Sequence, residues 1–201
     1  MAETQVPRIL VMDTGPLITL AVAESLDYLL YPSVPVIIPD AVLFEATRKG
    51  EAIGAASITE WVQFHADRVN VVPTTLFETY VGSLELGLSR APNLGEKAAF
   101  EVIGHTPFAN ENEIAILLSE DDQVIRGLTI PEGERHRIIV VTTHDFLEGL
   151  ERAQLINSVE ALYERANDGG RMASKRKAEK DARERALAAV EAALKTNGPK
   201  P

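Results

Sequence analysis

Five short runs rich in Ile, Val and Leu constrain this chain more than any other feature. They fall at residues 8–12, 36–38, 69–72, 113–119 and 138–142. Between them lie segments whose apolar residues recur at helical spacing. Leu17, Leu20, Ala21 and Leu26 follow the first run, and others fill 40–50, 57–67, 75–89, 95–105, 145–152 and 158–166. Short β-branched runs separated by helices predict βαβ units and a mostly parallel sheet. Such a sheet binds its ligands beyond the carboxyl ends of the strands. Acids stand at those ends: Asp13 directly after the first run, Asp121 and Asp122 just after the fourth.

Composition removes several alternatives. The 201 residues contain no Cys, so disulfide frameworks, thiolate zinc sites and cysteine nucleophiles are excluded. No apolar run reaches the ~18 residues of a membrane span, and Ile9–Met12 is too short for a secretory core. No membrane role and a cytoplasmic location are the resulting expectations. The net charge of −10 argues against coating nucleic acid by bulk charge. That charge is uneven. Residues 171–201 carry nine Lys/Arg against four Asp/Glu, whereas the rest holds eleven against twenty-six. The break coincides with Asp168-Gly169-Gly170, so a body (1–168) and a basic, Ala-rich tail (169–201), helical or flexible, are expected. The tail's thin apolar stripe reads as a solvated face or a partner-binding arm.

Glu45 lies on the segment after the second run, and Glu96 starts the segment before the fourth. Four carboxylates from distant segments could thus meet in one cleft. Like charges at short range raise one another's pKa, and a hard divalent cation with oxygen ligands relieves this. Each acid also has a structural reading. Asp13-Thr14-Gly15-Pro16 is rich in turn formers. Asn93-Leu94-Gly95-Glu96 resembles a capping box. Asp121 and Asp122 would suit a helix N-terminus, and Glu45 a solvated helix face.

In combination these segments resemble the PIN-domain nucleases, a fold of many bacterial toxin–antitoxin ribonucleases. Ile9 to Ile18 looks like the family's opening strand, first acid (Asp13) and adjacent small polar residue. Pro39 to Ala46 is similar to its helix bearing the second acid (Glu45). Leu94-Gly95-Glu96-Lys97-Ala98-Ala99 resembles the Gly-Glu-x-x-Ala form of its third-acid segment. Leu117 to Asp122, with Arg126 four beyond Asp122, resembles the fourth, with Asp121 as the ligand and Asp122 as a helix-dipole partner. Val140 to Leu147 and Ala153 to Ile156 resemble one subgroup's closing strand, Thr-led helix and small-residue turn. The resemblance implies an α/β three-layer sandwich with a C-terminal helical tail. It implies Mg²⁺- or Mn²⁺-dependent hydrolysis of RNA phosphodiesters, with Asp13, Glu45, Glu96 and Asp121 as metal ligands. Thr143 is expected to point into that site. An RNA substrate, a homodimer and, for the toxin of a pair, an antitoxin are the implied partners.

The third acid is Glu where the family more often has Asp, and the body is longer than a compact toxin, mainly through residues 50–92. The basic residues near the expected groove are few: Arg48, Lys49, Arg90, Lys97 and Arg126. An inactive PIN-like module that binds nucleic acid or protein is therefore the rival reading. Other chemistries fit less well. Asp13-Thr14-Gly15 matches an aspartic-protease motif, but no second copy occurs. Walker, G-x-G-x-x-G, H-E-x-x-H and G-x-S-x-G patterns are absent. Among the four His residues, only His144 falls close to the expected site.

Overall fold

A computed structural model describes residues 5–48, 52–87, 93–172 and 178–197. Lys49 and Arg90 lie outside the described residues. The apolar runs form five strands: β1 (Val6–Met12), β2 (Val36–Pro39), β3 (Val69–Val72), β4 (Glu113–Leu118) and β5 (Ile138–Val141). They make one sheet in the order β3-β2-β1-β4-β5, with every pair parallel. At its centre β1 and β4 pair along most of their length, from Val6 opposite Glu113 to Met12 opposite Leu118. The register slips once, between Pro7 and Ile9. Proline supplies no N–H for a ladder bond.

Nine α-helices are described: α1 (Thr14–Val22), α2 (Asp40–Thr47), α3 (Ala55–Phe64), α4 (Thr75–Glu85), α5 (Leu94–His105), α6 (Asp122–Ile125), α7 (Thr143–Arg152), α8 (Val159–Asp168) and α9 (Lys180–Asn197). Successive strand residues serve opposite faces. Leu10, Met12, Ile116 and Leu118 pack into a core with α1, α7, α8 and α9. Ile9, Val11, Ala115 and Leu117 pack against Phe100 and Ile103 of α5 on the other face. The three-layer α/β sandwich expected from the sequence is therefore present. Covering both faces explains why the runs are continuously apolar.

The tail differs from its expected solvated face. It is helical, but α9 lies against α7, β1 and β5. Ala186, Ala189, Val190 and Ala193 are buried in the main core. Alanine's weak hydrophobicity hides such a stripe in the sequence, while its small size allows close helix approach. That approach is closest at Gly149, where a β-carbon would lie 2.6 Å from Val190 Cγ1. Polar contacts fix the same joint. Buried Asp145 accepts from Thr142 Oγ1 (2.9 Å), from the Ala178 N–H (3.1 Å) and from Arg183 Nε (3.0 Å). Arg183 also pairs with Glu148. An isolated buried carboxylate is costly, and these donors compensate Asp145.

Among the described residues no helix is long and apolar enough to cross a membrane.

Gly149→Ala separates a docked α9 from a solvated one by sign. On an exposed helix the change would stabilise by about 1 kcal/mol. Against Val190 it should instead destabilise, by about 1–3 kcal/mol, with partial recovery in the Gly149→Ala, Val190→Ala double variant. Urea unfolding of the three proteins measures this directly.

Candidate active site

The central register brings the ends of β1, β4 and β5 level. The Asp13 N–H bonds to the Leu118 carbonyl (3.0 Å), and the Ser119 N–H to the Val141 carbonyl (3.1 Å). Asp13 caps α1: one carboxylate oxygen accepts from the Thr14 N–H at 2.7 Å. The other accepts from Ser119 Oγ at 2.8 Å. The same Ser119 hydroxyl accepts from the Asp121 N–H at 3.1 Å. Ser119 thus ties the first acid to the turn bearing the fourth. On the opposite side Thr14 Oγ1 donates to Glu45 Oε2 at 3.0 Å.

Gly95 closes against this pair. A β-carbon there would lie 2.9 Å from Glu45 Oε2 and 3.3 Å from Thr14 Oγ1, so a side chain would crowd the site. Glu96 follows in the first turn of α5 and is buried. The capping-box alternative for it does not form. Asn93 has left-handed backbone (φ 57°) and makes no side-chain capping bond. Asp121, exposed, caps α6 by accepting from the Gln123 and Val124 N–H groups. Asp122 occupies the first turn of that helix. The turn-forming and capping readings of Asp13 and Asp121 are therefore true as well. Capping and charge clustering coexist because a capping carboxylate keeps other lone pairs.

Electrostatics joins three of the expected acids. Burial pushes the Asp13 carboxyl above its ordinary pKa; the hydrogen bonds from Ser119 and Thr14 oppose this, and the charges of Glu45 and Asp121 add to it. Thr143, fully buried, donates its hydroxyl to Glu120 Oε1 at 2.7 Å. Capping of α7 belongs instead to Thr142. His144 stacks on Tyr163 at 5.8 Å.

Glu120 escaped the sequence reading. It accepts from Thr143, from Thr19 Oγ1 (3.0 Å) and from Arg171 Nη2 (3.1 Å), and its side chain packs against Gly15. Arg171 also reaches Thr19 Oγ1 (3.3 Å) and the Gly15 carbonyl (3.4 Å). Glu120 thereby fastens the β4–α6 turn to the β1–α1 turn. Nothing local marks this role, because Arg171 lies 51 residues away in sequence.

A second convergence of possible ligands occurs on α7. One ligand atom each from His144, Asp145 and Glu148 lies within 4.8 Å of the others. Arg183 is ion-paired to both acids. Despite burial that would raise it, Arg183 and Arg152 hold the Glu148 carboxyl below its ordinary pKa. A cation there would have to displace a guanidinium. At Asp13, by contrast, the charges of Glu45 and Asp121 add to the effect of burial.

The raised Asp13 pKa has a stability consequence of definite sign. The folded state keeps a proton that the unfolded state releases, so this contribution falls as pH rises from the ordinary carboxylate range through the folded pKa. Asp13→Asn should melt above the wild type at neutral pH and lose that advantage below the ordinary carboxylate range. Glu45→Gln should lower the Asp13 pKa in an NMR titration. A neutral-pH melting temperature of Asp13→Asn at or below wild type would contradict the assignment.

Residues 9–103 match the family described as DUF3368, a PIN domain. The matched segment contains Asp13, Glu45 and Glu96, while Asp121 lies beyond it. No curated protein and no solved structure matches the chain significantly. PIN domains are generally nucleases. The match spans just under half of the chain, and together with the all-parallel sheet it shows a PIN-like α/β fold around the acids of the matched segment.

Proposed function

We propose that this chain is a Mg²⁺- or Mn²⁺-dependent endoribonuclease whose metal ligands are Asp13, Glu45, Glu96 and Asp121. The observation that carries the reading is that Asp13, at the carboxyl end of β1, is tied through Ser119 to the turn bearing Asp121 and is followed by Thr14 bonded to Glu45, with the charges of Glu45 and Asp121 opposing its ionisation. The donor set is all carboxylate oxygen, which suits a hard divalent cation and relieves that repulsion. When bound, such ions lower the pKa of a water and stabilise the leaving oxygen of a phosphodiester. Ser119 fixes the Asp13 carboxylate by donating to one oxygen and leaves its remaining lone pairs available. Thr14 does the same for Glu45. Glu120 is already engaged by two hydroxyls and Arg171, so its part is positioning. Thr143 supports the site through Glu120. The toxin of a toxin–antitoxin pair, homodimeric and cytoplasmic, is the setting proposed with this activity.

Cleavage of an end-labelled single-stranded RNA in Mn²⁺ or Mg²⁺ tests the reading, and EDTA should abolish it. Asp13→Asn and Asp121→Asn should each lower the rate by about 100-fold or more, and Ser119→Ala by roughly 10–100-fold. Asp122→Asn should cost less than Asp121→Asn. Mn²⁺ should raise the melting temperature of the wild type but not of Asp13→Asn. Absence of both cleavage and the Mn²⁺ shift would leave a PIN-like binding module instead.

A further inference from the structure

A cavity of about 870 Å³ lies between the outer strand β5, the helix α6 and the start of α9. It is cationic in a chain whose net charge is −10. Arg126, Arg135, Lys180 and Arg185 line it, against Glu179 and Asp181. All four cations are exposed. Among the described residues none of the four is engaged in an ion pair. Ile130 and Ile138 add an apolar portion to the lining.

We propose that this cavity is a binding groove for the sugar–phosphate backbone of single-stranded RNA leading away from the candidate active site. The proposal rests on the nuclease reading for its substrate class. Three observations favour RNA as the occupant. The first is charge: a surplus of unpaired cations in an acidic chain complements a polyanion, and phosphate neutralisation dominates such affinity. The second is continuity with the acids. Asp121 caps α6 at one end and Arg126 caps it at the other. Five residues of helical rise correspond to about 7–8 Å. A strand placed at the acids therefore reaches the cavity within a short advance. The third is the lining, because cations beside apolar surface suit a polymer that offers both phosphates and base faces. The tail is then part of the substrate surface. Lys180 and Arg185 stand on α9, far outside the matched segment, and docking of α9 on α7 sets their position.

The test is fluorescence anisotropy of a 5′-fluorescein single-stranded oligouridine in EDTA, from 50 to 200 mM KCl. Lys180→Gln with Arg185→Gln should weaken binding roughly tenfold at ~100 mM salt. The double change should also flatten the slope of log K against log salt by about 1.4, at ~0.7 per lost phosphate contact. Arg135→Gln, on the segment before β5 and independent of α9 docking, should give about half that flattening. Unchanged affinity and slope in both variants would overturn the groove. So would failure to bind RNA together with tight, variant-sensitive binding of a polyglutamate peptide, which would assign the cavity to an acidic protein partner. Metal-dependent cleavage, assayed separately, keeps the two readings apart. A wild type that binds RNA through these residues yet cleaves none defeats the nuclease and supports the groove. A wild type that cleaves, with RNA affinity unaltered in both variants, does the reverse.

Discussion

The pairing of β1 with β4 is the constraint on which the rest depends. These strands are far apart in sequence, yet their parallel register sets Met12 opposite Leu118. The next residues along each strand are Asp13 and Ser119, which therefore meet at the same end of the sheet. Their hydrogen bond at 2.8 Å follows from that register. In the strand order β3-β2-β1-β4-β5, this junction is where the chain turns from building one side of the sheet to the other. Neighbouring crossovers diverge there and leave a crevice, which is the physical reason such sheets hold ligands at this point.

The site and the core are held by two kinds of charge arrangement. Around Asp13 burial raises the carboxyl's pKa, and the charges of Glu45 and Asp121 add to it. Asp145 and Glu120, by contrast, each accept three hydrogen bonds, one of them from a guanidinium. Arg171 and Arg183 both come from the segment after α8, so that segment supplies the positive charge which the earlier acids lack. The contrast sets carboxylates that are ion-paired into the framework apart from Asp13, whose bonds come from a hydroxyl and an amide.

Much of this was legible in the sequence for local reasons. The strands lie within a residue or two of the apolar runs, and Asp13 stands at the carboxyl end of β1, hydrogen-bonded to Ser119 beside Asp121, as its position after the first run implies. What escaped depends on contacts between distant segments. The Ala stripe of α9 has low hydrophobicity, and its burial is decided by Gly149, which permits a backbone approach that no periodicity reveals. The Asn93-to-Glu96 pattern satisfies a capping rule in letters, but Asn93 adopts a left-handed conformation that prevents its side chain from capping. Glu120 sits unremarked between Ser119 and Asp121, because its partners lie at Thr19, Thr143 and Arg171.

The docking of α9 has a consequence for the order in which the protein is made. Its helix lies directly against β1 and β5, the first and last strands of this sheet in chain order. Until Asn197 has emerged, the apolar surface later covered by Ala186 and Val190 stays open to water. Translation at about 5–20 residues per second separates the end of α8 from the end of α9 by roughly 1.5 to 6 seconds. During that interval the sheet is paired but one of its layers is incomplete. A nascent chain in this condition is a ready client for chaperones that bind exposed hydrophobic surface. The docking of α9 thus makes vectorial synthesis, rather than the sheet alone, decide when this face of the sheet is covered.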